Sequence, residues 1–297
     1  MQTLYSLESQ EDMLIAGEPV RLLKKHFDQT RQLLVYLVHF LTEVARYAET
    51  DARQKASKHL PSEQDLSINT KISGNTLLSK IREHLSFSRA VKEDKPDLIG
   101  EQDMIRKIYS DLVLSEKYQQ YIIDPSRDLK VEKEMLEFIF TNLMLPNEIF
   151  TSDVEEKFTN WDDDAEMVYA LVINFLSKIH SFNFQELISA DKWEFAKLLL
   201  ETTLERKEVT LEFIHPKLKN WDPDRIALLD MLLMRMGVCE FLYFETIPPK
   251  VTINEYIDLA KEYSTQQSGQ FINGILDNIH KDLVRDEKMH KVTFKPS

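Results

Sequence analysis

Residues 223–244 read PDRIALLDMLLMRMGVCEFLYF. Apolar side chains fill nearly every position, so a helix of about 3.6 residues per turn has no polar face here. Only Asp224, Arg225, Asp230, Arg235 and Glu240 interrupt the pattern. Such a helix belongs at the centre of a helical domain. It is expected to start at Pro223 with Asp222 as its cap, because a carboxylate accepts orphan amides and proline suits the first helical position. Gly237 in the interior costs about 1 kcal/mol of helix propensity relative to Ala. Close approach of another helix is the expected compensation. A buried unpaired charge is costly, so Asp230 and Arg235 either pair within the fold or face a partner.

Toward the C-terminus, IPPKVTINEYIDLAKEYS follows at 247–264. Its two prolines stop the preceding helix and fix a short turn, and Thr252 or Asn254 can start the next helix. The final helix is expected over Gln267–Leu283. There Phe271, Ile275 and Ile279 share one face, with Ile272 and Leu276 beside it, and Gly274 is expected to permit tight packing. Gln267, Gln270, Asn273 and Asp277 lie toward the other side. Amides beside an aromatic ring suit recognition of unpaired bases; by pattern alone, core packing is the more common role for a ring placed like Phe271.

Toward the N-terminus, helical periodicity predicts helices over Val20–Lys58, Leu77–Val91, Gln102–Tyr121, Leu129–Met144, Asp162–His180, Lys192–Glu205 and Val209–Lys217, with Ile253–Tyr263 in the C-terminal third. HLPSEQDLSINTKISGN reads as a loop or weakly ordered connection. No alternating run is bounded by an Asn-Gly or Asp-Gly turn, so strand signals are nearly absent. The expectation is an all-α protein of about ten helices. TNWDDDAE and KNWDPDRI, around Trp161 and Trp221, each place Trp before an acidic helix start, a weak echo that also fits independent capping.

The chain has 297 residues, 43% hydrophobic, with 6 Gly, 10 Pro and one Cys. That hydrophobic share supports a buried core, and one Cys forms no internal disulfide and fits a reducing compartment. With 37 Lys+Arg against 50 Asp+Glu, the net charge of −13 excludes a nonspecific polyanion binder but leaves room for a local or partner-assisted site. The longest apolar run, Leu33–Leu41, is too short to cross a bilayer, which needs about 20 residues. MQTLYSLESQED is acidic and has no basic region before an apolar stretch, unlike a signal peptide.

No catalytic pattern stands out. The eight His residues form no HExxH or paired helical ligand motif, and no phosphate-cradling glycine motif occurs. Cys239 reads as a core thiol or, given a base and an electropositive setting, a nucleophile. Asp162, Asp163 and Asp164 with Glu166 read as partners of a helix dipole or as a divalent-cation site. No cofactor is indicated.

The C-terminal third resembles the NusB family of bacterial transcription antitermination factors. The resemblance runs from about Trp221 to Leu283. It rests on Arg225-Ile226…Asp230…Met234-Arg235…Glu240, then Ile247-Pro248…Lys250-Val251…Ile253-Asn254-Glu255, then Ser268…Phe271-Ile272-Asn273-Gly274-Ile275-Leu276-Asp277. QTLYSLESQ at the N-terminus is similar to the later part of the family's first helix. The long segment between resembles the extended, Bacteroidetes-like form. The organisation implied is a first-helix segment at 1–12, extra helices at 13–205, a C-terminal bundle at 206–283 and a polar tail at 284–297.

The resemblance implies a NusB-like helical bundle without catalytic activity, in the cytoplasm and not at a membrane. It implies binding of boxA-like single-stranded RNA together with the ribosomal protein NusE, within an RNA polymerase antitermination complex acting on ribosomal RNA operons. It places partner contacts at Asp230 and Arg235, and RNA contacts at Tyr5, Gln267, Phe271 and Asn273. Gln267 stands where well-studied members carry an acid. The family's Arg-rich opening has no counterpart before Gln2, and the first basic residue is Arg21. The expectation is a truncated or late-called start, with RNA affinity and its salt slope both rising when a basic N-terminus is added. The alternative is a non-catalytic helical interaction scaffold with weak or lost RNA binding.

Overall fold

A computed structural model describes residues 1–9, 17–96, 98–218 and 226–292, without the side chains of Gln64 and Ile99. Every regular element among them is helical, and the chain divides into two compact units. A split unit combines residues 1–26 and 188–297; an inserted unit spans 27–187. These divisions differ from 12/13 and 205/206, the boundaries drawn from the sequence.

The fifteen α-helices among the described residues exceed the ten expected. Side-chain caps account for much of the excess by cutting long periodic stretches. Leu77–Val91 is divided at His84, whose ring nitrogen accepts from the Phe87 amide at 3.3 Å. Gln102–Tyr121 is divided at Ser115, whose Oγ accepts from the Tyr118 amide at 3.2 Å. Glu148–Lys157 is a helix where none was expected; Asn147 caps it through the Ile149 and Phe150 amides, both at 3.1 Å. A capping side chain satisfies amides that the helix leaves unpaired, so it starts a helix even where apolar periodicity continues.

The inserted unit is organised around α2 (Glu18–Ala56), whose stretch from Leu33 to Ala48 is buried at most positions. α10 (Trp161–Ser177) carries Asp162, Asp163 and Asp164 in its first turn, the dipole-partner arrangement. Asp164 also accepts from Thr30 Oγ1 at 2.6 Å and Asn160 Nδ2 at 2.7 Å. Aromatic rings fill much of the core. Phe175 meets Phe184 edge-on, centroids 4.8 Å apart.

The split unit consists of α1 (Gln2–Glu8), the first turns of α2, α11 (Ala190–Glu205), α12 (Lys207–Ile214), α13 (Leu228–Tyr243), α14 (Pro249–Tyr263) and α15 (Gln266–Arg285). α13 is its centre, as its all-round apolar sequence requires, and packs against α1, α11, α12, α14 and α15. Leu232, Leu233, Met234, Val238, Cys239 and Phe241 are fully buried. Each such aliphatic or aromatic side chain contributes roughly 1.5–3 kcal/mol by leaving water. The helix starts at Leu228, not Pro223, since Ile226 and Ala227 are not helical. This later start places Asp230 in the first turn, where its charge favours the helix dipole. Trp221, Asp222 and Pro223, and with them the Trp echo, lie outside the described residues.

Glycine placement corrects one expectation and supports another. A Cβ at Gly237 would lie 2.9 Å from both Leu276 methyls and 3.4 Å from the Tyr256 ring, so α14 and α15 do approach α13 there. Gly274 faces open space; Gly269 is the close-packed glycine of α15, where a Cβ would lie 3.1 Å from Lys261 Cγ.

Candidate functional site

α15 has two unlike faces. Ser268, Gly269, Ile272, Ile275, Leu276, Ile279 and Leu283 are buried, and Phe271 packs half-buried against the same core. Gln267, Gln270, Asn273, Gly274 and Asn278 are exposed. The face opposite the core is therefore rich in uncharged amides, flanked by an aromatic ring. Asp277, at its edge, pairs with Lys281 at 2.6 Å.

The start of α15 is locked to α13. Thr265 Oγ1 accepts from the Ser268 amide at 3.0 Å, capping the helix. Ser268 Oγ donates to Asp230 Oδ2 at 2.8 Å, while Asp230 Oδ1, also buried, has no hydrogen-bond partner in the structure. Asp230 is only 6% exposed. An acceptor oxygen buried without a donor carries a desolvation cost, and this one is closed to solvent. It lies one helix-start contact away from Gln267.

Arg235 has the internal of its two readings. Its side chain is 1% exposed; it pairs with Glu8 of α1 and donates to the Thr203 carbonyl of α11 at 2.7 Å. It thus fastens α1 and α11 to α13 and does not face a partner. Tyr5, on the same short α1, is 46% exposed while Thr3, Leu4 and Leu7 are buried. The structure brings Asp230, Gln267, Phe271 and Asn273 together on or beside α15. Tyr5 rides on α1, which packs on α13 and α11.

The supporting roles of several residues were not read from the sequence. Glu240 accepts from Thr252 Oγ1 and from the Tyr256 hydroxyl, both at 2.8 Å. Thr252 thus binds α14 to α13 and does not start a helix; Pro248 holds that N-cap position. Burial raises the Glu240 carboxyl above the ordinary glutamate value, against the lowering effect of both hydrogen bonds. Lys291, in the stretch read as a polar tail, donates to the Glu240 and Phe244 carbonyls at 2.7 Å each, closing the end of α13. The TxxxY spacing of 252 and 256 was the available signal, because i and i+4 share a helix face.

The other chemical candidates resolve simply. Burial pushes the Cys239 thiol up to about 11, so it is a protonated core group, not a nucleophile. Among the described residues no three His, Cys, Asp or Glu side chains are grouped to hold a metal ion, Asp162–Asp164 included. No helix among them is long and apolar enough to cross a membrane.

The described residues form an all-helical protein whose buried polar groups hold its terminal helices in place. The NusB family model matches residues 165–281. Over 101 residues the chain is 44% identical to the transcription antitermination protein NusB of Methylacidiphilum infernorum, covering 34% of this chain and 70% of that protein. The namesake of Finegoldia magna is 40% identical over 35% of this chain and 76% of its own length; that of Salinibacter ruber is 43% identical over 33% and 61%. The chain belongs to the NusB family. No solved structure matches it.

Proposed function

We propose that this chain is a non-catalytic, cytoplasmic transcription antitermination factor that binds boxA-like single-stranded RNA together with NusE. In this reading it joins an RNA polymerase antitermination complex and promotes processive transcription of ribosomal RNA operons. The observation that carries the reading is the exposed amide face of α15, held to α13 through Ser268 and Asp230. Gln267 and Asn273 offer donors and acceptors to base edges, and Phe271 and Tyr5 offer ring faces for stacking. In this reading Asp230, only 6% exposed, marks the protein-partner contact next to the start of α15. Arg235 acts at a distance by holding α1. Residues 1–12 and 206–283 form the recognition part, and 13–205 are an elaboration of it.

Fluorescence anisotropy with a boxA-like RNA, with and without NusE, at several salt concentrations tests this. Binding that strengthens when NusE is present is the expected result. Absence of binding under every condition would leave the helical scaffold reading in its place.

A further inference from the structure

A recess in the inserted unit has a different chemistry. It is lined by Leu145, Trp161, Ala165, Glu166 and Tyr169. Trp161, Ala165 and Tyr169 are spaced i, i+4, i+8 on α10, so they form one stripe along roughly 12 Å of helix axis. The small Ala165 leaves the gap between the two rings. Both rings are held: Trp161 packs half-buried on the core, and Tyr169 stacks on the buried Phe140, centroids 6.0 Å apart at 22°. Tyr169 is nevertheless 44% exposed.

Two aromatic side chains line the recess, and an aromatic face accepts a flat ring or a cation. The surrounding charge decides between them. Glu166 lines the recess and is exposed, and Asp162, also exposed, lies one turn before it on the same ridge. The positive end of the α10 dipole is worth about half a charge. Asp162, Asp163 and Asp164 in that first turn outweigh it. These acids disfavour a phosphate backbone there and favour a cation. A guanidinium meets every feature at once: it stacks on aromatic faces and donates two parallel hydrogen bonds to a carboxylate.

We propose that the α10 recess is a docking site for an arginine side chain presented by a basic segment of a protein partner. Trp161 and Tyr169 supply the faces and Glu166 the carboxylate. This site is independent of the RNA-binding reading and lies within the inserted unit.

The test is anisotropy of a short fluorescein-labelled Gly–Arg repeat peptide with the full chain, against a Gly–Lys repeat of equal length and a labelled oligouridylate. The Arg peptide is expected to bind. Tyr169→Ala is expected to weaken it about tenfold, and the Lys peptide to bind several-fold less tightly. Glu166→Gln, at an exposed position that leaves packing intact, is expected to weaken it to a similar degree; Glu262→Gln, exposed in the split unit, is the control and should change nothing. Circular dichroism checks each variant's fold. Equal binding by wild type, Tyr169→Ala and Glu166→Gln would mean diffuse attraction to an acidic protein and would overturn the proposal. So would no peptide binding, or oligouridylate binding lost in the same variants.

Discussion

α13 and the central part of α2 carry the same sequence signature, a helix apolar nearly all round, yet they do different work. From Leu33 to Ala48 α2 buries aliphatic and aromatic side chains and Thr42, with no acid or base among them. α13 buries Asp230, Arg235 and Glu240 along with its apolar residues. Each of those charges reaches a different neighbour: Ser268 of α15, Glu8 of α1, and Thr252 and Tyr256 of α14. Apolar contact is non-directional, so it fixes how tightly helices pack more than their register. Directional polar contacts fix register, and in the split unit they set where the amide face of α15 stands. The inserted unit buries Glu132 and Asn75 instead at a helix start. There Glu132 accepts from the Thr76 amide at 2.7 Å and Asn75 Oδ1 caps α4 (Thr76–Glu83).

The largest effect should come from breaking one directional contact. Glu8→Ala leaves the Arg235 guanidinium buried without its counter-ion and should cost about 3–5 kcal/mol. Adding Arg235→Met should recover most of that loss, since the uncompensated charge is then gone. In the inserted unit Leu37→Ala should cost about 2–5 kcal/mol through a cavity, with no polar partner whose removal restores it. Urea unfolding of the variants checks both. Failure of the double variant to recover would show that register, and not charge burial, dominates at Arg235.

Close packing gives the next effect. Gly237→Ala drives a methyl into Leu276 and should cost about 1–3 kcal/mol. Gly274→Ala, on the same pair of helices but facing open space, should stabilise by up to about 1 kcal/mol. Thermal unfolding of the two variants distinguishes an interface glycine from a surface one.

The smallest effect is a pH dependence. The folded Glu240 carboxyl is raised above its ordinary value of 4.5, so the folded state holds its proton to higher pH than the unfolded chain does. The stability contributed by that proton is complete below the unfolded value and is lost as pH rises through the raised one. Glu240→Gln should flatten this decline. Unfolding free energies measured from pH 4.5 upward check the sign.

Much of the split unit was legible because its signals are local. An all-round apolar run marked α13 as central, and Gly237 marked a close approach. The polar side of α15 followed from helix periodicity alone. The identities of the buried partners were not legible: Glu8 and Arg235 are separated by most of the chain, and no periodicity connects them. The same limit assigned tight packing to Gly274 when Gly269 has it, because helix phase alone does not fix which small residue meets Lys261. In the inserted unit, His84 and Ser115 interrupt apolar runs that otherwise continue, so caps went unseen and the helix count rose. Trp161 and Tyr169 were legible as residues, whereas the recess between them needed Leu145 from another part of the chain.

Hydroxyl-radical footprinting of the full chain with boxA-like RNA and NusE tests the central claim most directly, because the radical oxidises exposed rings in proportion to their access. Oxidation of Tyr5 and Phe271 should fall when both are added, while Tyr169 in the inserted unit stays unchanged. Protection of Tyr169 with Tyr5 and Phe271 unaffected would contradict the assignment of RNA recognition to the face of α15.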